Sequence, residues 1–225
     1  MEIFPTTNAT WLEQTLVVDP RAAREHVLAR YAAPLTIYAR ASSLRLLGEP
    51  DELVHEFLAS RLDDPSYLER WRASGLPLRR WLASGLIAHA RDRAATEARR
   101  RRALGTVDPA DLNRVAADAG THDALLALER AWAMRVMLEA QDTVRTELDS
   151  EGRGAWWDLF RMHSVQGVPY EQACAATGVA QGSASHVNRV VARRLRDTLA
   201  AMLGRDGIPP DEIERELSLM QDLLG

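Results

Sequence analysis

The chain contains no lysine, so all 28 of its basic side chains are arginine. It holds one cysteine, Cys174, which excludes an intramolecular disulfide and any cysteine-rich zinc site. No run approaches the roughly 18 consecutive apolar residues of a membrane-spanning helix. The start, Met1-Glu2-Ile3-Phe4-Pro5, lacks the basic opening and apolar stretch of a signal peptide. A cytoplasmic protein with no membrane association is expected. Six histidines (His26, His55, His89, His122, His163, His186) are scattered without an HExxH-type pair. Neither a glycine-rich phosphate loop nor a G-x-S-x-G elbow is present, so hydrolase, kinase and dinucleotide chemistries find no support. The chain does not read as an enzyme, and no metal or cofactor is expected.

What remains is an ordinary globular composition over 225 residues, long enough for one or two domains with their own cores. The net charge of −4 hides a strong pattern. From His89 to Arg102 six arginines face two acids, and from Ser185 to Arg205 five arginines face one. From Asp206 to Gly225 six acids face the single Arg215. Two basic islands and an acidic tail describe the chain better than its average, and each island suits a phosphate backbone.

Alanine, leucine, arginine and glutamate dominate the long runs, which predicts an all-α protein. Asp19-Pro20 marks a helix start, with Leu28, Tyr31, Leu35 and Tyr38 continuing the apolar stripe. A second helix begins near Pro50 and carries Leu53, Val54, Phe57, Leu58 and Leu62 on one side. A third runs from Leu78 through Trp81, Leu82, Leu86 and Ile87 into the arginine run. Gly105, Pro109 and Gly120 then interrupt a linker. The second half opens with a long amphipathic helix from about Asp123, and Trp156-Trp157 start another.

Residues 169–183 read as a helix, a tight turn at Gly178 and the start of a further helix. That helix keeps Ala184, Val187, Val191 and Leu195 on one face and Ser185, His186, Arg189 and Arg193 on the other. This is the layout of a helix-turn-helix with a basic recognition face, although many helical hairpins share a glycine turn. Cys174 falls where a small apolar residue packs between two helices, and the tryptophans fall mostly at core spacing, Trp81 being the one with a functional alternative. His55 reads as a surface residue, and His186 as either a surface histidine or a DNA contact. A solvated helix end is the plain alternative for the run Arg99–Arg102.

The order of these parts resembles an extracytoplasmic-function (ECF) sigma factor. Asp51-Glu52-Leu53-Val54-His55-Glu56-Phe57-Leu58 is similar to that family's core-binding helix. Leu78-Arg79-Arg80-Trp81-Leu82, Asp92 and the arginine run resemble its promoter-melting segment, and Gly167 to Arg196 resembles its C-terminal helix-turn-helix. Phe4-Pro5-Thr6-Thr7 with Trp11 resembles a subgroup that opens on FPTT, and the tail around Ile213–Leu217 is similar to that subgroup's acidic helix. The chain departs from the pattern at His55, at Ala88 (a polar residue in the family), and at Val187, Asn188 and Val190 of the recognition helix.

The resemblance implies two helical domains joined by a flexible linker. Residues 1–102 would form the domain that binds core polymerase and the −10 element, and 103–122 the linker. Residues 123–204 would form the −35-binding domain, and 205–225 an acidic C-terminal helix. Asp51, Glu52, Leu53, His55, Glu56 and Phe57 would meet a basic coiled coil of core RNA polymerase. Arg79, Arg80, Trp81, Arg91, Arg93, Arg99, Arg100, Arg101 and Arg102 would hold the melted promoter strand. Ser183, Ser185, His186, Arg189 and Arg193 would read upstream promoter DNA. An anti-sigma factor or other regulator is a further implied partner. The alternative is a helix-turn-helix regulator, or a sigma-like decoy that does not initiate transcription.

Overall fold

The computed structural model describes residues 11–103 and 121–225. The expected Phe4–Thr7 opening, most of the 103–122 linker and the side chains of Arg101 and Arg102 lie outside the described residues. Every regular element among the described residues is helical. Helices α1 (Trp11–Val18) and α2 (Pro20–Ala41) meet at Asp19, whose carboxylate accepts the Ala22 N–H at 3.0 Å while Pro20 supplies the preset first-turn φ. Helix α3 (Pro50–Leu62) starts on proline again, with Asp51 and Glu52 in the first turn, where the helix dipole favours acids. Helix α4 (Pro65–Ser74) repeats the device, since Asp64 accepts the Ser66 N–H at 3.0 Å. It ends at Gly75, whose φ of 67° a side chain would oppose. Helix α5 (Leu78–Ala103) carries the first basic island.

Helix α6 (His122–Ser150) is capped by the Thr121 hydroxyl. Short helix α7 (Gly154–Phe160) runs into a π-turn, and α8 (Tyr170–Thr177) stops at left-handed Gly178. Helices α9 (Ala184–Arg205) and α10 (Ile213–Leu224) complete the chain.

Helix α6 organises the packing. Ala124, Leu128, Trp132, Val136, Ala140, Val144 and Leu148 recur every fourth residue, and all are fully buried. A four-residue step overshoots a 3.6-residue turn by about 40°, so the stripe winds around the helix as it advances. Its first part, through Ala140, enters a large core with Leu12, Val27, Tyr31, Leu35, Phe57, Leu58, Leu82 and Leu86, joined by Leu199, Leu203, Ile208 and Met220. Its last part, Val144 and Leu148, enters a second core with Trp157, Phe160, Ala173, Cys174, Ala184, Val187 and Val191. The larger core thus draws residues from both sides of positions 104–120.

Leu128 is fully buried in the part of the stripe that enters the large core. Leu128→Ala should cost about 2–5 kcal/mol, the range for a cavity left in a packed core. The check is a urea midpoint that falls with an unchanged slope.

Candidate nucleic-acid interface

Between the end of α3, α4 and the first half of α5 lies a cavity of about 270 Å³, lined by Arg61, Tyr67, Arg70, Trp81, Ser84, Gly85 and Ala88. It is smaller than the roughly 300–1,000 Å³ of ordinary small-molecule sites. Its aromatic wall is a cluster: Tyr67 and Trp81 have ring centres 5.6 Å apart, and Phe57 meets Tyr67 edge-on at 6.2 Å. Gly85 makes this possible, because a Cβ there would stand 2.0 Å from the Tyr67 hydroxyl. The Tyr67 hydroxyl and the Trp81 indole N–H are buried without a hydrogen-bond partner. Burial raises the Tyr67 pKa against the opposing pull of Arg61 and Arg70, so the phenol keeps its proton. The Arg70 guanidinium lies 6.0 Å over the Tyr67 ring. Two unsatisfied donors, aromatic surface and two cations suit a planar group with acceptor atoms beside a phosphate, which describes an unstacked nucleobase.

A larger cavity of about 610 Å³ lies further along α5, lined by Leu46, Leu47, Glu56, His89, Asp92, Arg93, Thr96 and neighbours. The His89 Nε2 is buried there without a partner, 5.9 Å from the Phe57 ring by centroid. Burial lowers the His89 pKa, Arg61 and Arg93 lower it further, and Glu56 and Asp92 oppose them.

On α3, Asp51, Glu52, His55 and Glu56 are exposed, while Leu53 and Phe57 point into the large core. Asp51 holds Arg40 at 2.5 Å, and Glu56 holds Arg93 at 2.7 Å. Between α2 and α3 a groove of about 550 Å³ runs past Leu28, Ala33, Ile37, Val54, His55 and Leu58. On α5, Arg80, Arg91, Arg99 and Arg100 are exposed and Trp81 and Arg93 are half-buried. Arg79 does not share their surface. Its guanidinium is buried, stacked 4.2 Å over the Trp132 ring and paired with Glu129 and Glu216.

Ser183, Ser185, His186, Arg189 and Arg193 all lie exposed at the start and along one side of α9, while Ala184, Val187 and Val191 are buried. Asn188 is half-buried and accepts the Ser164 hydroxyl at 2.7 Å. That bond accommodates a polar side chain at a position where the resemblance leads one to expect an apolar residue. Sequence reasoning missed Arg61, Tyr67 and Arg70. The signal was present at Asp64-Pro65, a helix start of the same kind as Asp19-Pro20, which would have placed Tyr67 and Arg70 on a helix before Trp81.

Among the described residues no group of three or more His, Cys, Asp or Glu side chains could hold a metal ion, and no helix is long and apolar enough to cross a membrane. No family model, curated protein or solved structure matches the chain.

His89 supplies a pH test. Its folded pKa lies below the ordinary 6.5, so as pH falls the unfolded chain takes up the proton first. The stability tied to neutral His89 is therefore present above about pH 6.5 and is lost as pH drops through the folded value. His89→Gln should flatten that decline in urea midpoints measured from about pH 7 to about pH 5. Parallel curves for the two proteins would put His89 in ordinary solvent.

Proposed function

We propose that the chain is an RNA polymerase sigma factor of ECF type, a subunit that joins core polymerase, directs it to promoters and initiates transcription. The observation that carries this reading is the pocket of Arg61, Tyr67, Arg70 and Trp81, because it lies where the sequence resembles a promoter-melting segment. An extruded base costs a few kcal/mol to unstack, and stacking on Trp81 or Tyr67 returns about 1–3 kcal/mol. Exposed Arg80, Arg91, Arg99 and Arg100 would follow the strand by its phosphates. The α8–Gly178–α9 unit would act as the helix-turn-helix, with Ser185 and His186 at base edges and Arg189 and Arg193 on phosphates. The acids of α3, with the adjoining α2–α3 groove, would face a basic coiled coil of the polymerase.

One observation favours the decoy alternative. Ala88, which stands where the resemblance leads one to expect a polar side chain, lines the same pocket in which the Tyr67 and Trp81 donors lack partners. A pocket short of one polar contact grips a base less well, and strand opening is the step a decoy would lose.

Run-off transcription with purified core polymerase and promoter-bearing DNA separates the readings. The sigma reading requires discrete products that depend on the chain. DNA binding without product selects the regulator or decoy. Trp81→Ala should lower affinity for single-stranded DNA by about 1–3 kcal/mol with duplex binding retained. Unchanged single-strand affinity would reject the pocket as a base site.

Arg193 should behave as a phosphate contact. Arg193→Ala should weaken duplex binding almost equally for all sequences and reduce the salt slope by about one unit. A change of preference at one base position would instead make it a base reader.

A further inference from the structure

The acidic segment 206–225 is bound to elements throughout the chain. Glu216 on α10 receives the buried Arg79 of α5, and Glu129 of α6 holds that guanidinium from another side. Glu214, two residues earlier and so on a different face of α10, holds the exposed Arg196 of α9. Asp206, almost wholly buried, receives His26 of α2 at 2.8 Å and lies 3.5 Å from Arg30. One segment thus occupies arginines on both candidate nucleic-acid elements, α5 and α9, with carboxylates in place of phosphates.

An open groove flanks α10. A cavity of about 560 Å³ opens between α10, α6 and α9, lined by Met137, Phe160, Leu199, Leu217 and Leu224 among others. Leu219 on α10 is exposed. Met220 is buried in the large core and Ile213, Leu217, Leu223 and Leu224 pack against it, so apolar contacts and charge pairs together hold α10. Breaking the Arg79–Glu216 pair leaves a buried charge uncompensated, so Glu216 can leave only as another anion takes its place. A packed apolar helix would have no such exchange open to it.

We infer that residues 206–225 form an intramolecular latch that competes with nucleic acid for Arg79 and Arg196. In the latched state Arg79 is withheld; when a polyanion takes these arginines, α10 releases. The inference rests on the proposed function, because it regulates that same interface.

The test compares two charge-matched variants of the full chain. Glu214→Gln with Glu216→Gln removes the latch carboxylates. Asp211→Asn with Asp222→Asn removes the same charge from exposed positions of the same segment. Binding to a short single-stranded oligodeoxythymidine at low fixed salt should tighten in the first variant by at least about fivefold more than in the second. Small-angle scattering should show expansion of the first variant alone. Equal affinities in the two variants, or no binding by either, overturn the latch. Hydrogen exchange on the wild-type chain gives a readout that does not depend on the variants folding: 213–224 should exchange faster when the oligonucleotide is added, and unchanged or slower exchange overturns the proposal. A chain that passes these tests but yields no run-off product keeps the latch and loses the sigma reading.

Discussion

A guanidinium taken out of water has to be neutralised where it lies, and Arg79 imposes that requirement on three helices at once. Trp132 and Glu129 of α6 and Glu216 of α10 surround it. Removing one partner from such a buried group costs about 3–5 kcal/mol, because the remaining charge is left uncompensated. The start of α5 is therefore fixed against α6 and α10. Residues two apart on a helix face nearly opposite ways, so Trp81 turns away from that junction and toward α4. The aromatic pocket follows from the arginine. Gly85, one turn further along α5, then admits the Tyr67 ring that closes it.

The helices were legible because their signals are local. The proline starts at Pro20 and Pro50 and the spacing of Leu53, Val54, Phe57, Leu58 and Leu62 correspond to elements and buried faces of the structure. The same holds for Ala184, Val187 and Val191 on α9. What stayed hidden depends on contacts between residues distant in sequence. Nothing near Arg79 distinguishes it from Arg80, and Glu129 pairs with both, yet one is buried and the other exposed, because the Trp132 ring and Glu216 close over Arg79. Likewise, the four-residue stripe of α6 reads as a single apolar face, and only its winding reveals that it serves two cores. Of the candidate site, Trp81 was visible as an aromatic with an alternative to core packing. Tyr67 and Arg70 were missed with α4, the helix that carries them, and Arg61 was missed at the end of α3, where nothing local points to the pocket.

The charge distribution acquires a meaning that the net value of −4 conceals. Acids are placed against particular arginines: Glu56 on Arg93, Asp51 on Arg40, Glu151 on Arg194, Glu214 on Arg196. These are largely exposed pairs, worth little to stability individually and weakened by salt. Under the proposed function their effect would fall on recognition. Any external anion must displace an internal one before it reaches these arginines, so the field offered to nucleic acid is weaker than the arginine count suggests. Arg99 and Arg100 are exposed near the end of α5. Under the proposed function they would offer a first point of encounter along the same helix that leads back to Trp81.

The same geometry limits how far the chain can open. Separating α6 from α2 and α5 would expose Leu128, Trp132 and Val136, all fully buried. Each fully buried side chain of that kind represents about 1.5–3 kcal/mol of apolar burial. A partner that opened the whole molecule would have to cover that stripe with apolar surface of its own. Release of α10 exposes one buried apolar side chain, Met220, with the partly buried Ile213, Leu217, Leu223 and Leu224. It separates Glu216 from Arg79 and Glu214 from Arg196, while Glu129 continues to neutralise Arg79. In the proposed latch, local release is therefore the smaller disturbance provided that a polyanion replaces Glu216 at Arg79, and wider separation of the helices requires an apolar partner as well as a charged one.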